Sequence, residues 1–113
     1  MNNRSDKIIT IAVPTNDGKT IFPKMLGMAK YFYIFEKNGE GQFDLTDTRS
    51  NPFENSKQRL KTYDVYSVIS DCEVIIAAYI GKKGIERLKE KGMQLFFRKG
   101  DIQEALNTVT GNE

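Results

Sequence analysis

The loop Met25-Leu26-Gly27-Met28 places two thioethers three residues apart with no ionisable group between them. A thioether is a neutral, soft and weak donor that suits Cu(I) better than iron. Methionine equally fills irregular apolar gaps or offers a partner an adaptable surface. Both uses are open to Met25 and Met28, and Met93 is a candidate to join them. The one thiol, Cys72, ends an apolar stripe just ahead of a buried run, where free cysteine usually serves as a small hydrophobe. A bound cluster normally takes about four thiolates, so this chain would need ligands from a second subunit, from exogenous thiols or from a partner. In Gly81-Lys82-Lys83-Gly84 a strand gives way to a helix, where free N–H groups, the helix dipole and two lysines suit a phosphate or carboxylate. The glycine spacing and Lys-Ser/Thr pair of a P-loop are missing, and the same residues also serve tight chain reversal and solubility.

Several chemistries are excluded by what the chain lacks. It has no histidine, which removes the commonest general base and metal ligand and leaves no hydroxyl or thiol with a triad partner. A two-metal nuclease needs clustered carboxylates, yet Ile8 to Val13 carries none, and a period of two puts Asp44 and Asp47 on opposite sides of their strand. Asp47, Arg49, Asn51 and Glu54 read as a polar loop holding an Arg–carboxylate pair, worth at most ~1 kcal/mol if exposed. Seventeen basic and fifteen acidic residues leave a net charge of +2, too balanced along the chain to favour a nucleic-acid partner. The longest apolar run, Val74 to Ile80, falls well short of the ~20 residues of a membrane span, and Met1 to Lys7 has no signal-peptide core. With a single cysteine, these features lead to the expectation of a cytoplasmic, non-enzymatic protein with no membrane association.

The elements that must position these residues follow from hydrophobic period. With 113 residues, 39% hydrophobic and 28% charged, the chain is expected to be one globular domain, 1–113, with an ordered core of about 7–110. Ile8 to Val13 reads as a central strand closed by Pro14. Tyr31 to Glu36 and Gln42 to Thr48 form an antiparallel hairpin, with Phe43, Leu45 and Asp47 on one side and a tight turn at Asn38-Gly39. Val65, Val68, Ile69 and Cys72 give a helical stripe over about 56–70, and Glu73 to Ile80 reads as a buried parallel strand. A helix over Lys82 to Lys91 stops at Gly92, Met93 to Phe97 is a strand, and Asp101 to Glu104 has capping-box spacing at the start of a last helix. Right-handed crossovers make the later strands parallel. The predicted fold class is α/β: three strands, then helix, strand, helix, strand, helix, in a five-stranded mixed sheet with helices on both faces. The aromatic hairpin leaves an edge through which a homodimer is open.

Ile11-Ala12-Val13-Pro14-Thr15-Asn16-Asp17-Gly18, Leu26-Gly27 followed by Ala29-Lys30-Tyr31-Phe32, Asp71 to Ile76 running on to Ile80-Gly81, Leu88 to Phe97 and Gly100 to Leu106 resemble the dinitrogenase iron-molybdenum cofactor biosynthesis family. That resemblance implies a ribonuclease H-like fold and a non-enzymatic accessory or carrier role with iron-sulfur or iron-molybdenum type cofactors. The implied partner is a metallocluster or a protein of a cofactor-assembly pathway. It implies a cofactor-binding region at Met25, Gly27, Met28, Cys72, Gly81 and Lys82, the metal itself being unspecified. Many members carry a histidine-phenylalanine-glycine string where this chain reads Met25-Leu26-Gly27. The alternatives are an interaction domain without cofactor, or small-anion binding at Gly81 to Gly84.

Overall fold

The computed structural model describes residues 8–54 and 61–109. In chain order these form β1 (Ile9–Thr15), a 3-10 turn (Leu26–Met28), β2 (Tyr31–Lys37), β3 (Phe43–Ser50), α1 (Lys61–Ile69), β4 (Val74–Ala77), α2 (Lys82–Glu90), β5 (Gln94–Phe97) and α3 (Ile102–Thr108). The sheet order is β3-β2-β1-β4-β5, antiparallel on the β2–β3 side of β1 and parallel on the β4–β5 side, as expected for a ribonuclease H-like domain.

Alternation along the strands divides the core into two layers, because successive side chains leave opposite faces of a strand. Ala12, Phe32, Ile34, Ile75 and Ala77 face one way and pack with Val65 and Ile69 of α1 and Leu88 of α2. Ile11, Val13, Phe35, Val74 and Ile76 face the other way and pack with Ile102, Ala105 and Leu106 of α3. The central position of β1, with Ile11 through Thr15 all buried, agrees with its β-branched composition.

Element ends depart from expectation where long-range partners intervene. β1 runs through Pro14 to Thr15. Its pairing with β4 ends at Ala12, so the missing proline N–H costs no bond there, while the Pro14 carbonyl accepts from Phe22 N at 2.9 Å. β4 stops at Ala77 rather than Ile80, because the backbone of Tyr79 turns aside to bridge Met25. The predicted start of the first helix, at about 56, falls in 55–60, outside the described residues; within α1 the stripe holds, with Val65, Ile69 and the following Cys72 buried.

The hairpin turn is wider than an Asn-Gly two-residue turn. Asn38 Oδ1 accepts from Glu40 N (2.8 Å) and Gln42 N (3.1 Å), and the left-handed residue is Gly41 (φ 85°). Thus Asn38 acts through its side chain, and Gly41 supplies the positive φ. A bulge then leaves Thr46 unpaired, so Asp47 faces Ile34 while Leu45 faces Phe35. The extra residue moves Asp47 off the side of Phe43 and Leu45 and onto that of Asp44, the reverse of a strict alternation. Later helix ends follow their sequence signals: Gly92 (φ 86°) follows α2, and the Asp101 carboxylate accepts from Glu104 N at 3.0 Å at the start of α3. No helix among the described residues is long and apolar enough to cross a membrane.

Candidate functional site

The loops that follow β1 and β4 meet at the carboxyl ends of these two strands, where open α/β sheets characteristically form ligand crevices. Backbone pairing joins them: Met25 bridges Tyr79, and Leu26 N donates to Tyr79 O at 2.9 Å. Met28 N donates to Met25 O at 2.9 Å and closes the 3-10 turn. Within that turn Leu26 is buried in the core, while Met25 and Met28 remain 46% and 48% exposed. Together with Gly27, Val65, Ile80 and Gly81, these three residues line an open, apolar groove of about 280 Å³. Gly81 borders it closely: a Cβ there would reach van der Waals contact with Met25 Cε at 3.5 Å.

A polar tie from outside the loop fixes its path. Asn51 is 5% exposed, and its Nδ2 donates to Gly27 O (3.0 Å) and Ala29 O (2.8 Å) while its Oδ1 accepts from Phe53 N (2.9 Å). Asn51 N donates to Lys30 O, and Lys30 N to Asn16 Oδ1 at 2.8 Å. Sequence reasoning placed Asn51 in a polar loop but missed this role. An Asn-Pro step marks a turn locally, and nothing in it signals a bond across 22 residues.

Of the sequence-predicted site residues, Met25, Gly27, Met28 and Gly81 come together in the groove. Lys82 is exposed in the first turn of α2, next to Gly81, which is the helix N-cap. Cys72 is elsewhere, 5% exposed within the core layer of α1 and α2, and burial, reinforced by the neighbouring Asp71 carboxylate, pushes its thiol up to about 12. It packs as a core residue and does not line the groove. Met93, at 6% exposure, packs in the same layer and does not line the groove. Among the described residues no three of His, Cys, Asp and Glu converge as a metal site.

The Arg–carboxylate pair does not stay within its loop. Arg49 donates to both oxygens of Asp71 (2.8 and 2.9 Å), from its Nε to Asp47 Oδ2 (2.8 Å), and to Val68 O at the end of α1 (2.7 Å). It thereby ties β3 to the end of α1 and to Asp71, the residue before Cys72. The Arg49 guanidinium holds the Asp71 carboxyl below its ordinary value of 3.8. Because the folded value is the lower one, the stabilisation is present above the unfolded value and is lost as pH falls through the folded one. The melting temperature is expected to drop more steeply between about pH 5 and pH 2 in the wild type than in Asp71→Asn, and the two curves should converge at the acid end. Parallel curves would show that the clamp adds nothing to stability.

A family model described as dinitrogenase iron-molybdenum cofactor matches residues 7–112. No curated protein matches the chain. Among solved structures, the crystal structure of PH0822 superposes with a TM-score of 0.72 at 19% identity, covering 91% of each chain. The apo form of the orange protein from Desulfovibrio gigas gives 0.67 at 15% identity, over 90% of this chain and 87% of that one. The solution structure of a putative NifB protein from Thermotoga gives 0.62 at 22% identity, again over 90% and 87%. At these identities the likeness is one of fold.

Proposed function

The chain belongs to the dinitrogenase iron-molybdenum cofactor family, and from that premise we propose that it is a non-catalytic accessory protein taking a metal–sulfur cofactor as cargo in the groove of Met25, Gly27, Met28 and Gly81. The convergence of those four residues on one apolar groove at the strand carboxyl ends carries this reading. A sulfide-rich cluster presents a soft, polarisable face, and thioether and methyl groups offer it matching contact. With Cys72 buried in the core and outside the groove lining, the cluster keeps its own ligands and takes no thiolate from this site. Such binding is weak and reversible, which suits a protein that must hand its cargo on to a partner.

Anaerobic titration with a preformed iron-sulfur cluster, followed by absorption and metal analysis, tests this. Stoichiometric uptake is expected for the wild type and for Cys72→Ala, with at least a tenfold loss in Met25→Ser/Met28→Ser, whose half-exposed sites tolerate the change. Uptake that depends on Cys72 and ignores both methionines would overturn the proposed site. No uptake at all would favour a second reading, an interaction domain without cargo, which the exposure of two methionines in one turn also supports.

A further inference from the structure

The formal charge of +2 conceals a segregation along the fold. No acidic residue occurs between Asp17 and Glu36, between Glu73 and Glu86, or between Glu90 and Asp101. These three stretches supply the loops at the carboxyl end of the sheet, and they contain Lys24, Lys82, Lys83, Arg98 and Lys99. Lys24 directly precedes Met25, and Lys82 and Lys83 directly follow Gly81, so cations flank the groove on both of its loops. Lys99 Nζ lies 5.1 Å from the ring of Tyr79, the residue whose backbone bridges Met25. Lys24, Lys82 and Lys83 are exposed and form no ion pair among the described residues.

The carboxylates at this end are differently placed. Asp17 accepts from Lys19 N, Thr20 N and the Thr20 hydroxyl, and Asp101 accepts from Glu104 N, so both already serve the backbone. Asp64 precedes Val65 on the α1 wall of the groove, and Glu86 stands one turn after Lys82 and Lys83 on α2. The groove itself is lined by apolar side chains and glycine, with no charged side chain. Its occupant therefore meets soft, apolar walls inside and, at the rim, three exposed lysines outside any ion pair among the described residues.

We propose that Lys82 and Lys83, with Lys24 on the facing loop, make the Met25–Met28 groove selective for amphiphilic anions, in which a soft or apolar face carries peripheral negative charge, over neutral molecules of the same shape. This rests on the groove being the cargo site and adds the charge of what it accepts. A lysine ammonium is a flexible, strongly hydrated point charge, so the selectivity arises from field rather than from fixed geometry and is screened by salt.

The test uses two fluorescent probes on the purified chain: anilinonaphthalene sulfonate, an apolar anion, and phenylnaphthylamine, its uncharged counterpart. At low salt the sulfonate is expected to bind about fivefold tighter than the neutral probe, and the advantage should vanish at about 1 M salt, where the screening length is about 3 Å. Lys82→Gln/Lys83→Gln should remove most of the advantage without altering the neutral probe's affinity. Gly81→Leu, which fills the groove, should weaken both probes. Equal affinities in the wild type, a preference that survives the double glutamine variant, or failure of both probes to bind would each overturn the proposal. Retention of anion preference in a protein that takes up no cluster would instead remove the cargo reading and leave the charge selectivity standing.

Discussion

Asn51→Ala is expected to lower the unfolding free energy by about 3 kcal/mol, out of proportion to the size of the group removed. The side chain is 5% exposed and makes three hydrogen bonds, two donated to Gly27 O and Ala29 O and one accepted from Phe53 N. Alanine leaves two carbonyls and one N–H without those partners, and each such buried group costs about 1–3 kcal/mol unless water reaches it. Gly27 is only partly buried, so water can recover part of that loss, whereas Ala29 is fully buried and has no such recourse. Asn51→Asp is expected to be at least as damaging at neutral pH, because a carboxylate turned toward two carbonyls accepts and cannot donate. Urea unfolding with an unchanged slope would measure the loss, and a value under ~1 kcal/mol would mean that the loop is held by Leu26 and Asn16 alone.

That expectation concerns a residue whose importance was hidden in the sequence, and the contrast with the strands explains why. The two core layers were legible because alternation is a local property. Ile11 and Val13 on one side and Ala12 on the other can be assigned from β1 alone. Gly92 and Asp101 were legible for the same reason, since caps are set by residues within one turn of the helix end. The features that escaped depend on contacts distant in sequence. Thr46 becomes a bulge only because β2 dictates the register, and Tyr79 leaves the strand only because Met25 offers a backbone partner.

The candidate site divides along the same line. Met25, Gly27 and Met28 could be read as one loop, and Gly81 as a strand end, but their meeting in one groove required the pairing of two loops 54 residues apart, Met25 with Tyr79. Cys72 shows the opposite case. Its place on the apolar stripe of α1 already pointed to burial, and the resemblance to a cofactor-binding family drew it toward the site. The thiol lies in the core layer, as local spacing indicates, and outside the groove lining.

Leu26→Ala is expected to cost about 3 kcal/mol, in the usual range for a buried leucine, and to do so from the inner side of the same loop. Leu26 is 4% exposed and packs in the layer of Val65, Ile69 and Cys72, while its N–H holds Tyr79 O and is untouched by the substitution. Leu26→Met should cost less than about 1.5 kcal/mol, since it nearly conserves volume. The informative variant is the combination of Leu26→Ala with Asn51→Ala. If the side chain below and the amide above fix one and the same backbone path, the first loss already frees the loop and the second has less left to remove. The double variant should then be more stable than the sum of the single losses predicts, by about 1 kcal/mol or more. Strict additivity would mean that the Met25–Met28 turn is held independently at its two ends, and that the groove keeps its form when either hold is lost.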